Sequence, residues 1–356
     1  MGSVKSVAPY LGMTIVQLAY GGSNILGKLA LERGLSYLVF IVYRHLIATA
    51  ILGPLAYVLE RVNSCRKQRT KLSLSILFKI FNLALFGTTI HQNVYYAGLD
   101  CTSPTVAGAM GSVIPALTFT LAVFLRMEEI KIKKAKGRAK IIGALVCITG
   151  ALLFTFWQGP LLPGFVKRPL ITVQGKNSGH GSKHYKDDWI KGSVLILTSH
   201  VAFSAWLILQ AMVYEVYPAR LSTNTLICFF ASLQSSALAL IFDRNTSSWK
   251  LDWNIQLLTI VYSGIVISCL AYYLQTFCIS KKGPVFAAMF SPVLLVVVGL
   301  FSVLFFAERL HLGSLIGALV IILGLYTVLW GKSKDSDEDH KENAKTLSSS
   351  TESHPV

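Results

Sequence analysis

The chain has 356 residues, 53% of them apolar and 14% charged, with a formal net charge of +16 and a mean hydropathy of +0.57. A soluble domain of this length carries amphipathic segments, whereas here the apolar residues form long unbroken runs. The basic residues lie in the loops between those runs, which argues against a nucleic-acid-binding face.

A helix crossing about 30 Å of hydrocarbon needs roughly 20 apolar residues. Ten segments qualify: Tyr10–Leu29, Ser36–Val58, Ile76–Leu99, Pro104–Leu125, Lys140–Trp157, Trp189–Val213, Leu221–Phe242, Leu257–Ile279, Gly283–Phe306 and Leu312–Trp330. The runs are continuous rather than alternating, so the expected class is an all-α membrane protein and not a barrel. The first run carries Gln17, Asn24 and Lys28 and is read as a span rather than a cleavable leader. With a cytosolic N-terminus, the cytosolic side holds about twice as many basic residues as the other.

The first span has a polar stripe of Thr14, Gln17, Tyr20, Gly21, Asn24 and Lys28, spaced by three or four so that all share one face. Such a stripe points to a water-filled path, the alternative being hydrogen bonds between helices. Span two carries Tyr43-Arg44-His45, too deep for Arg44 to reach either surface, so Arg44 meets a carbonyl or an anionic ligand or serves as a structural hub. Span three places Thr88, His91, Gln92, Tyr95 and Tyr96 on one face. The basic stretch Met127–Arg138 is expected against anionic headgroups, helical in part. Residues 158–188, with His180 and His184, read as a flexible connector rather than a metal or pH site. Span six offers Ser199, Trp206 and Gln210, and span eight Ser268, Tyr272 and Gln275. Asn245-Thr246-Ser247 is a glycosylation pattern in a short loop, and residues 332–356 form a polar tail expected to be disordered. The six cysteines make no CxxC pair and read as packing residues, with no metal and no cofactor implied.

One unit recurs. Pro104 precedes Glu128 by the same spacing that separates Pro284 from Glu308, and Ile-Gly-Ala-Leu-Val occurs at both Ile142–Val146 and Ile316–Val320. In this register Tyr95 falls on Gln275 and Gln92 on Tyr272. Spans three to five match spans eight to ten, while spans one and two show no convincing match to six and seven. An odd five-span unit used twice must insert upside down the second time, with the substrate site at the interface. The expected units are 1–157 and 189–331. Pro115 and Pro292 should kink spans four and nine, either freeing carbonyls for a ligand or shaping the packing. No Asp or Glu lies deep in a span, since Asp100, Glu128, Glu129, Glu215 and Glu308 fall at the ends. The expectation is therefore a facilitator, or coupling through His45, His91 or His200. No phosphate loop, HExxH or defensible triad points to an enzyme.

Tyr43-Arg44-His45, Gln92–Leu99, Thr102–Thr105, Pro115–Phe119, Arg126-Met127-Glu128, Gly283–Phe286 and Leu329–Lys332 together resemble the plant nodulin-like EamA transporters of the drug/metabolite transporter superfamily, the walls-are-thin-related family. The resemblance covers nearly the whole chain apart from the long loop and the tail. It implies ten spans as two inverted five-helix EamA repeats, both termini cytosolic, and bidirectional movement of amino acids, or in some members auxin, across the plasma or vacuolar membrane. Ser112 stands where the family often has Asn, and near His91 the family commonly has an acidic or apolar residue. The implied partners are a small-molecule substrate and the bilayer. For a zwitterion, Lys28 or Arg44 supplies the cation, Gln17, Asn24 and Gln92 polar contacts, and Tyr20 with Tyr95 a wall. Tyr43, His91, Pro115, Gln210, Tyr272, Gln275 and Pro292 complete the expected path.

Overall fold

The computed structural model describes residues 2–62, 72–102, 104–127, 135–157, 160, 182–243, 246–251, 253–306, 312–313, 315–328 and 330–331. Asn245, Glu128, Glu129, Glu308, His180 and the tail lie outside these residues.

Among the described residues the regular structure is entirely helical. The long helices are α1 (Gly2–Glu32), α2 (Tyr37–Ala56), α3 (Leu74–Cys101), α4 (Pro104–Phe124), α5 (Ala135–Phe156), α6 (Ser182–Val216), α7 (Arg220–Phe242), and α8 (Ile255–Lys282) with α9 (Pro284–Phe305). A shorter apolar helix, α10 (Leu315–Val328), follows. Among the described residues eight helices are long and apolar enough to cross a membrane. α1 has the length but not the apolarity, because its polar stripe runs along it. α6 begins at Ser182, so the end of the stretch expected to be a loose connector is helical.

Local chemistry sets the ends. Gly34 takes the left-handed backbone (φ 88°) between α1 and α2, and Gly283 (φ 84°) ends α8 one residue before Pro284 opens α9. The Ser73 hydroxyl accepts from Ile76 N at 3.3 Å to cap α3, and Asn254 Oδ1 accepts from Gln256 N at 2.8 Å to cap α8. The start of α7 is capped from another helix: Glu60 accepts from Leu221 N at 2.8 Å and Ser222 N at 3.0 Å.

α1 packs on α8 and α9, α6 on α3 and α4, and α2 on α7. The contacts carry a regularity. Gln92 bonds Tyr272, 180 positions on. The same shift carries the π-helical turn Leu85–Ile90 of α3 into the π-helical turn Ser263–Ala271 of α8. It also carries the bond from Arg44 to Tyr96 (3.4 Å) onto the bond from Thr276 to Asn224 (3.2 Å). A Cβ on Gly98 would stand 2.8 Å from the Gly192 carbonyl, and one on Gly12 3.1 Å from Cys278 Sγ, which is the shifted pair. Spans one and two thus correspond to six and seven through their contacts, a match that residue identities alone do not reveal.

α5 and α10 obey a second shift. Cys147 Sγ reaches the carbonyl of Ile321, 174 positions on. A Cβ on Gly143 would lie 2.8 Å from the Gly324 carbonyl, and one on Gly150 3.0 Å from that of Gly317. The lower number of one helix meets the higher of the other, so the two run antiparallel. Pro115 and Pro292 bring a helix break rather than a smooth bend. α4 tightens into a 3₁₀ turn at Gly111–Val113, and α9 is interrupted after Ala288 and restarts at Ser291. Each proline sits at the start of the restarted helix, where its missing N–H costs no helical bond.

Replacing Gly150 by Leu should force α5 and α10 apart and destabilise the protein by about 1–3 kcal/mol. Gly53, whose Cβ would meet its first neighbour at 3.9 Å, should accept Ala with little change. Thermal unfolding in detergent, followed by size-exclusion fluorescence, compares the two.

Candidate functional site

A central cavity lies among α1, α2, α3, α4, α6, α8 and α9. Its volume is about 90 Å³. The polar stripe of α1 supplies Gln17, Tyr20 and Asn24, α2 supplies Arg44, α3 His91, Gln92 and Tyr95, and α8 Tyr272 and Gln275. Ser23, Tyr96, His200 and Phe203 also line it.

The Gln92 amide donates to the Tyr272 hydroxyl and so ties α3 to α8 at equivalent positions. Tyr20 donates to Gln275 Oε1 at 3.3 Å. The shifted counterpart of that contact is Tyr95 against His200, with ring centroids 6.0 Å apart. His91 Nδ1 meets the Ser199 carbonyl at 2.9 Å, and its ring lies 4.8 Å from that of Phe203. Neither ring nitrogen of His200 has a partner.

Arg44 is 2% exposed. Its Nε donates to Ser268 at 3.1 Å and its Nη1 to Tyr96 at 3.4 Å, and the guanidinium stands 5.6 Å from the Phe40 ring centroid. Among the described residues no carboxylate lies within ion-pair distance of it, and none of the lining residues is acidic. A guanidinium stays charged wherever it is placed, and a buried charge without a partner carries a penalty of several kcal/mol.

Five expected path residues sit elsewhere. Lys28 donates to the carbonyls of Leu99 (3.0 Å) and Asp100 (2.9 Å) and pairs with Glu32 at 4.0 Å, binding α1 to the end of α3. The Tyr43 hydroxyl donates to the Trp249 carbonyl at 2.9 Å, and its ring packs edge-on against Trp249. Gln210 donates to Thr276 at 2.9 Å, behind the cavity wall. Pro115 and Pro292 are buried and shape the helix breaks beside Ile114 and Ser291, which do line the cavity. Among the described residues no three potential ligands gather as a metal site.

A multi-pass membrane bundle with a largely apolar central cavity on which a few polar side chains converge is the frame of a carrier. The chain matches the EamA-like transporter family twice, over residues 8–156 and 190–330, and it belongs to that family. It is 41% identical to the WAT1-related protein At5g07050 of Arabidopsis thaliana over 351 residues, covering 98% of this chain and 86% of that one. It is 39% identical to the WAT1-related protein At5g64700 of the same plant, covering 93% and 92%. A crystal structure of another protein shares the fold with a TM-score of 0.62 at 17% identity, over 90% of this chain and 98% of that one. The protein is a plant EamA-type membrane transporter.

Tyr272→Phe should leave the buried Gln92 amide without its partner, at a cost of about 1–3 kcal/mol. Adding Gln92→Met should recover much of that loss, because both polar ends are then removed. A double-mutant cycle on the thermal midpoint measures the coupling.

Proposed function

We propose that this transporter moves small metabolites, amino acids first, by alternating access and as a bidirectional facilitator. The observation that carries the reading is the acid-free cavity, with its few converging polar side chains, at the place where the equivalent residues Gln92 and Tyr272 meet. Arg44 offers a carboxylate its charge, the Gln92, Asn24 and Gln275 amides offer hydrogen bonds, and Tyr20, Tyr95, Phe203 and Tyr272 leave a wall for a variable side chain. The aromatic wall favours a second reading, an aromatic carboxylate such as auxin, which would require the cavity to widen.

The architecture we propose is ten spans in two inverted five-helix repeats, 1–157 and 189–331, with both termini cytosolic. The pairing of α5 with α10 supports it, since equivalent residues facing each other across antiparallel helices lie about a two-fold axis perpendicular to those helices. Alternating access then amounts to exchanging equivalent contacts. The Tyr20–Gln275 bond opens as Tyr95 and His200 close, and the reverse. The plasma membrane is the first expected location and the vacuolar membrane the alternative.

Amino-acid efflux from vesicles carrying the chain should fall roughly tenfold or more in Arg44→Ala and in Gln92→Ala, the loss expected for a hydrogen bond to a charged group. Unchanged flux in both removes the site assignment. Auxin that outcompetes neutral amino acids would favour the second reading. A proton dependence that disappears with His91→Ala would overturn the facilitator.

A further inference from the structure

The lining of the cavity is unbalanced in its hydrogen-bonding groups. Arg44 has five N–H donors, and two are engaged, by Ser268 and Tyr96. Gln275 (2% exposed) presents an NH₂ group, Nε2, without a partner among the described residues, and the amide of Asn24 (4% exposed) lines the same cavity beside the Tyr95 hydroxyl. Tyr20 donates to the Oε1 of Gln275, which leaves Nε2 toward the cavity. Three helices thus aim donors at one space, and the only full charge among the lining residues is positive. On the acceptor side stands Gln92 Oε1, also unpartnered. The unpartnered ring of His200 adds one donor and one acceptor when neutral.

Duplication does not account for this imbalance. The 180-residue shift that superposes the two halves places Asn224 where Arg44 stands, and Asn224 is engaged by Thr276 and Tyr214. The charge belongs to one half only. Hydrophobic surroundings cannot neutralise a guanidinium by taking its proton, as they can with a lysine or a histidine. The missing partner is an acceptor that carries charge.

We propose that the cavity is an anion site, in which Arg44 and the amide donors of Asn24 and Gln275 hold one monovalent anion. Its source is the carboxylate of the substrate, or a small inorganic anion such as chloride when substrate is absent. The site takes zwitterions and monoanions and rejects organic cations, which bring like charge to Arg44 without any acidic residue in the lining to receive them. This rests on the reading of the cavity as the carrier's binding site.

The test uses the purified full-length chain in detergent with gluconate, too large for the cavity, as the reference anion at constant sodium. Thermal midpoint is titrated with chloride, acetate, glycine and choline. Chloride and acetate should raise the midpoint saturably and glycine should compete with them, while choline has no effect. Arg44→Gln should lose the shift and Arg44→Lys keep it. Where Arg44→Gln does not yield folded protein, Asn24→Leu and Gln275→Leu serve, each weakening the apparent affinity about tenfold. A shift with acetate and glycine but not chloride assigns the anion to the substrate carboxylate, and a shift with chloride alone assigns it to the inorganic ion. A linear response shared by all anions, a shift that survives in Arg44→Gln, or a stabilising effect of choline overturns the proposal. Amino-acid flux is measured in liposomes from the same preparations. Flux without an Arg44-dependent shift sinks the anion site and leaves the transport reading intact. A shift without flux does the reverse.

Discussion

The bond between Gln92 and Tyr272 joins residues that hold the same place in two halves of one chain. Few positions in a duplicated bundle can do this, because an equivalent pair meets only where the relation between the halves maps a point onto itself. Cys147 and Ile321 form a second such meeting. Between these fixed points the rest follows. α1 must pack into the half that contains α8 and α9, because α6 packs on α3 and α4. The cavity opens around the first meeting, and the second is closed by backbone contact at four glycines. Lipid gives helices no hydrophobic reason to associate, so close approach at small residues holds α5 to α10.

Within this frame the departures from equivalence carry the chemistry. Tyr20 bonded to Gln275 answers to His200 beside Tyr95. Arg44 answers to Asn224. The ends of the bundle are also held unequally. Glu60 caps the start of α7, whereas the residue shifted from it is Leu240, an exposed apolar side chain. Lys28 holds the end of α3, and its counterpart is the buried Ile208. The proposed alternating access would exchange contacts on this shared scaffold, and these unshared side chains would set the two arrangements apart in energy.

Most of the helices and of the cavity were legible in the sequence, since both rest on helical periodicity. Gln17, Tyr20 and Asn24 share a face, as do His91, Gln92 and Tyr95, and a polar face inside hydrocarbon has few places to go. The residues placed elsewhere show what periodicity omits. Tyr43 adjoins Arg44 in sequence but is turned about 100° around the helix, which takes it to Trp249. Lys28 continues the stripe of α1 past the cavity, where its long stem finds the last carbonyls of α3. Gln210 belongs to the layer behind the wall. Ser23 was missed, and His200 was named only as a titratable group and not as part of the path, for another reason: only the contacts reveal that α1 corresponds to α6, through Gly12 and Gly192, because little else of that kinship survives in residue identities.

Arg44 therefore matters beyond its own contacts. Two equivalent sockets arose with the duplication, one between α2 and α3 and the other between α7 and α8. The second is filled by neutral groups, Asn224 Oδ1 accepting from Thr276 and Tyr214, so it holds no charge that calls for a counter-charge. The first contains a charge that its own neighbours, a serine and a tyrosine, stabilise without neutralising. A cavity with two cationic sockets would favour a dianion, and one with none would have no electrostatic preference. With a single socket, set to one side of the Gln92–Tyr272 bond, the cavity has one place for one negative charge and a fixed direction in which the rest of the molecule must lie, toward the aromatic rings of Tyr20, Tyr95 and Phe203.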